Sequence, residues 1–199
     1  MSNTTLAFNG NVFRERFHNT GSRDPIYSND SREQWLALRH ATQWRPAQYL
    51  DIEAGVDIKV LRAEYRNDFA AYPDAHGAMQ PALRIHSDVE DEHVAGFASI
   101  TAAVLPGLHA TLGLRALHVT SNDETVATPR ATLTWMPDDI STISASVGDY
   151  AQPLPLLLLA QAESNRALSL PRSTHYVLSF SRMLGESSMA TVELYRKDG

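Results

Sequence analysis

The sequence predicts a mainly β protein: an eight-stranded antiparallel jelly-roll sandwich with two helices and an N-terminal extension. Short runs of alternating apolar and polar residues recur along the chain, the pattern of half-buried strands. Clusters of Gly, Pro, Asn, Asp and Ser separate those runs. Only two stretches combine helical spacing with a start signal.

Residues 1–30 are polar and rich in turn formers, as in "FNGN", "HNTGSRDP" and "YSNDS". Their scattered aromatics cannot form a core of their own, which suggests an extended arm ordered against a neighbour. In "SREQWLALRHATQW", Ser31 and Gln34 form a capping box, Trp35, Leu38 and Thr42 share a face, and Pro46 stops the run. This predicts a helix over 32–44. Val56, Ile58 and Val60 alternate with Asp57 and Lys59 in a strand over 56–65, and Leu83 and Ile85 mark another at 82–87. Ser87 and Glu90 repeat the capping signal. Val94, Phe97, Thr101, Val104 and Leu105 then suggest a helix over 88–105, ended by Pro106-Gly107.

Strands are expected at 114–120, 130–136, 144–150, 154–160, 175–183 and 189–196. Leu133 and Trp135 share one face with Ala131; Tyr176, Leu178 and Phe180 share another; Ala190, Val192 and Leu194 a third. In a sandwich, Leu133, Trp135, Leu178, Phe180, Val192 and Leu194 would be buried between two sheets. The division expected is an arm and helix over 1–50 and a jelly-roll domain over 51–199.

Composition narrows the function. The 199 residues carry a formal net charge of -6, which argues against a duplex-DNA binder. With no Cys, disulfides and thiolate metal sites are excluded. The N-terminus lacks the apolar segment of a signal peptide. The apolar run "PLPLLLLA" is far short of the ~20 residues of a membrane helix, so the expectation is a soluble protein with no membrane partner.

Catalytic motifs are missing: there is no GxSxG, GxGxxG, GxxxxGK[ST] or HExxH pattern, and Asp138-Asp139 sits in a loop after Pro137. The reading is not an enzyme, with no cofactor. In "HSDVEDEH", Asp88, Asp91 and Glu92 suit the first turn of a helix, where acids complement the macrodipole. The same three carboxylates are the best candidates for a hard cation such as calcium at subunit contacts. Fifteen of the seventeen cations are Arg. Arg14, Arg16, Arg23, Arg32 and Arg39 stand among Phe13, Phe17, Tyr27 and Trp35, a mixture suited to single-stranded nucleic acid. His18 and His40 would add charge as pH falls toward 6.

"LHVTS", "RATLTWMP" and the Thr/Ser-rich acidic loop that follows resemble the middle strands of small plus-strand RNA virus coat proteins, of tymovirus or barnavirus type. "STHYVLSFSRMLGESSMATVELYR" is similar to the last two strands of such coats, and the likeness extends over roughly residues 80–199. It implies a capsid protein that self-assembles into a large homo-oligomer in the host cytoplasm, packages single-stranded RNA and resides in the virion. The alternatives are a non-catalytic bacterial β-rich binding or accessory domain, or a small α+β enzyme.

Overall fold

The computed structural model describes residues 1–21, 23–73 and 76–199. Nine strands form one antiparallel sheet in which each strand pairs with its neighbour in the chain. They are β1 (Ser2–His18), β2 (Pro25–Ala47), β3 (Leu50–Phe69), β6 (Leu83–Leu105), β7 (Leu108–Val119), β8 (Glu124–Asp138), β9 (Ser141–Ala151), β10 (Arg172–Gly185) and β11 (Ser188–Asp198). A two-residue pair, β4 (Tyr72–Pro73) and β5 (Met79–Gln80), decorates the β3–β6 connection. One short helix, α1 (Leu156–Gln161), interrupts the β9–β10 connection.

The fold is therefore mainly β with little helix, but it is no jelly roll. One sheet in simple up-and-down order replaces two packed Greek-key sheets. The stretch expected as an arm supplies β1 and the start of β2. The helix expected at 32–44 lies inside β2, and the one at 88–105 inside β6. The strand expected at 154–160 is instead mostly α1.

The misplaced helices have a local cause. Leu36, Leu38, Thr42 and Trp44 satisfy a period of two while Trp35, Leu38 and Thr42 satisfy helical spacing, so the pattern alone is ambiguous. Pairing decides: every residue from Trp35 to Trp44 faces a partner in β3, and β1 covers most of the other side. The supposed cap is used differently. Ser31 Oγ donates to Asn29 and accepts the Arg66 N–H, tying β2 to β3.

The two ends of the sheet differ. At one, β2–β3, β6–β7, β8–β9 and β10–β11 turn within two residues each. Gly107 at φ 73 sits in the β6–β7 turn, where a Cβ would strike the Met136 carbonyl. At the other end the connections lengthen, to residues 70–82 between β3 and β6 and 152–171 between β9 and β10. Prolines 46 and 137 fall in the register shifts that close β2 and β8, where a missing ladder donor is tolerated.

The core is a small patch on one face. Ala63, Tyr65, Val89, Ala95, Leu117, Val119 and Val126 meet Leu154, Leu156, Leu159 and Leu170 from the β9–β10 connection. That segment crosses the sheet from β9 to lie on β6 and β3.

Candidate functional site

Strand alternation divides the side chains into two faces. Following the register across the sheet, the first face carries Leu6 and Phe8 on β1, Leu36, Leu38 and Trp44 on β2, and Ile52, Val56, Ile58 and Val60 on β3. It continues through Val94 and Ile100 on β6, Leu112 and Leu114 on β7, and Leu133 and Trp135 on β8. Val147, Tyr176, Leu178, Phe180, Val192 and Leu194 complete it on β9 to β11.

Nearly all of these side chains are open to the surroundings, with Leu112 at 65%, Trp44 at 62% and Leu194 at 66% exposure. The six residues expected between two sheets are on the right face of their strands, but no second sheet covers them. The burial expectation fails and no inter-sheet register exists, while the alternation within each strand holds. Trp135 is 47% exposed and Phe180 42%.

The band has limits. On β3 it runs from Leu50 to Val60, and Arg62 with Glu90 beside it ends the apolar stretch. Eleven residues at about 3.3 Å each span about 33 Å of strand, or about 25 Å if strands tilt by roughly 40°. Trp44 and Trp135 lie near its short-turn edge, each three residues before its strand ends. Polar side chains interrupt it on β1 and β2, where Ser2, Thr4, His40 and Thr42 hydrogen-bond to one another at 2.8 to 3.3 Å, and on β9 and β10, where Thr174 donates to Asp149 at 2.7 Å.

The opposite face is polar and cross-linked. Asp57 pairs with Arg115 and, at 3.4 Å, with Arg39, which also reaches Glu53 and stacks 4.5 Å from the Phe97 ring centre. Gly55 leaves the room that the Phe97 ring fills. Lys59 sits over Trp35 at 4.7 Å. Further along, Arg130 covers Tyr150 at 4.4 Å, Tyr150 stacks on His175 at 4.3 Å, and His175 meets Tyr195 edge-on at 5.4 Å. A cavity of about 430 Å³ opens beside these rings, lined in part by Gln152, Ser173 and Lys197.

Beyond the apolar band, buried polar groups fix the long-connection end. Asp91 accepts hydrogen bonds from the backbone N–H and the hydroxyl of Ser121 and lies 2.9 Å from His93 Nε2. Burial pushes its carboxyl up, but His93 and Ser121 outweigh that and hold it below the ordinary aspartate value. Burial and then Glu33 push the Tyr65 hydroxyl up.

The residues expected to contact RNA do not form one surface. Arg14, Arg16, His18, Arg32 and His40 point to the first face, Arg39 to the second, and Arg23 occupies the β1–β2 turn at φ 61. Arg14 pairs with Asp30 at 3.5 Å. The carboxylates considered for a cation are split by alternation, Asp88 and Glu92 to the first face and Asp91 to the second. Among the described residues no group of three metal-ligating side chains forms.

No family model matches the chain, and no curated protein matches it. Solved structures do. The copper transporter OprC superimposes with a TM-score of 0.68 at 14% identity, over 98% of this chain and 34% of the transporter. The siderophore receptor PiuA from Acinetobacter baumannii gives 0.66 at 12%, over 96% and 37%. The ferripyoverdine receptor of the outer membrane of Pseudomonas aeruginosa gives 0.64 at 11%, over 98% and 30%.

In fold the chain resembles part of these receptors and transporters.

The chain spans about a third of the length of these proteins. The likeness to virus coats is thereby overturned, since both shared an alternating pattern that many β proteins carry. A capsid subunit in a virion, a self-assembling shell and packaged RNA go with it. The reading as a non-catalytic bacterial β-rich protein fits the fold better. What the sequence reading missed was the continuity of the exposed apolar band, visible as alternation in residues 50–60 and 110–116.

Proposed function

We propose that this chain forms part of the wall of an outer-membrane β-barrel, with its apolar face toward lipid and its polar face toward a lumen through which a solute passes. The observation that carries the reading is the exposed apolar band of about 25 Å, which matches the hydrocarbon span of such barrels. Surface area supports it. A compact protein of 22.0 kDa exposes about 9,300 Å² by size scaling, whereas this chain exposes 13760 Å². The exposed large hydrophobic side chains of the first face contribute to that excess, and a contiguous apolar surface is unfavourable in water and favourable in lipid.

The orientation follows from loop length. Short turns face the periplasm and long connections the exterior in this class, which puts residues 106–107 and 139–140 inside and 152–171 outside. Trp44 and Trp135 then sit at the inner interface, where aromatic rings concentrate. The role is one of passage and recognition rather than catalysis; the similar proteins are a copper transporter and siderophore receptors by name.

The three tryptophans test the assignment. Trp44 and Trp135 point to the apolar face and Trp35 to the polar one. In vesicles containing brominated phosphatidylcholine, variants retaining only Trp44 or only Trp135 should lose most of their fluorescence, and the Trp35-only variant little. Equal quenching of all three, or none, overturns the proposal.

A further inference from the structure

The β9–β10 connection does not extend away from the sheet. It leaves β9 at Gln152, turns inward through Pro153 and Pro155, and lays α1 across the polar face onto β6 and β3. Its base is pinched shut, because the Gln152 N–H donates to the Pro171 carbonyl at 3.0 Å. The segment thus begins and ends at one point, as a compact loop does. Leu156, Leu159 and Leu170 are buried on the patch formed by Ala63, Tyr65, Val89, Val119 and Val126.

Polar anchors to the sheet are few and converge on the β7–β8 turn. One Glu124 oxygen accepts the Leu170 N–H at 2.7 Å, and the other accepts from the Arg172 guanidinium at 2.8 Å. Asn122 donates its amide to the Leu168 carbonyl at 3.2 Å, while its own Oδ1 is buried with no hydrogen-bond partner. The Leu170 amide, and then Arg172, hold the Glu124 carboxyl below the ordinary glutamate value, as expected of a carboxylate anchoring a segment.

We propose that residues 152–171 are an inward-folded strap that narrows the exterior mouth of the lumen, and that Glu124 is its latch. The constriction rests on the barrel-wall reading above; the latch rests on the contacts alone. The strap makes no ladder hydrogen bonds with β3 or β6, whereas those strands pair along twenty residues with each other. It therefore opens at lower cost than the sheet, by swinging about its pinched base. Opening widens the mouth and uncovers the apolar patch.

Hydrogen exchange on the full chain in detergent micelles tests the latch. In the parent, amides of Leu158, Leu159, Leu168 and Leu170 are protected by the bonds they make. Glu124→Ala should speed exchange across 158–170 by tenfold or more and leave β6 and β7 amides unchanged. Leu159→Ala, which weakens packing without touching the latch, should speed the same amides. Strap exchange equal to the parent in Glu124→Ala overturns the proposal, as does joint loosening of strap and sheet. Because the readout is local, it stands even if tryptophan quenching were to reject the lipid-facing assignment. That second result would remove only the constriction.

Discussion

Asp91, expected in the first turn of a helix or on a hard cation, lies in β6 instead. Its carboxylate is fully buried, yet every contact it makes is a hydrogen bond within the fold, to His93, Ser121 and the Glu92 N–H. Such a group serves as a staple between β6 and the turn at 120–122. Asp91→Ala would orphan the half-buried Ser121 donors and is expected to cost about 1–3 kcal/mol. Denaturant titration in detergent measures this. The pH dependence has a definite sign. The folded value is depressed, so the stabilisation is complete above the ordinary aspartate value of 3.8 and lost as pH falls through the lowered folded value. An acid transition centred above 3.8 that disappears in Asp91→Ala would contradict this account.

Within single strands, much was legible. Alternation over 130–136, 175–183 and 189–196 assigns each side chain to a face, and β8, β10 and β11 keep those assignments. Where a face points was not legible, because a period of two is the same whether the apolar side meets another sheet or lipid. Helical spacing misled for a related reason. In β6, small residues such as Ala95, Ala98 and Ala102 fall on both faces, which blurs the alternation. The ladder of Tyr150, His175 and Tyr195 on the polar face comes from three strands and left no local signal. The two faces of one strand should now respond differently to charge. If the apolar face meets lipid as proposed, Leu114→Arg, at the middle of that band on β7, should destabilise by about 2–4 kcal/mol in a bilayer. Thr132→Arg, on the polar face of β8, should cost far less. Unfolding titrations in vesicles compare them, and equal costs would mean that the faces are misassigned.

For the whole molecule, direction along the sheet sets a constraint that no single strand carries. β1 starts at the short-turn end and so does β11, because nine strands in strict alternation begin and finish pointing the same way. Among the described residues, the outer edges of both are unpaired. Open backbone edges are costly in lipid, so a wall must close on itself or on further strands. Joining β11 to β1, within one chain or between copies arranged head to tail, would give a parallel pair. An all-antiparallel barrel needs an odd number of additional strands from outside this sheet. The chain alone in micelles should therefore show strong amide protection through β3, β6, β7 and β8, but rapid exchange at alternate amides of β1 and β11, those aimed away from β2 and β10. Uniform protection along β11 would mean that a copy of the same chain already occupies the edge, and the parity argument would fail.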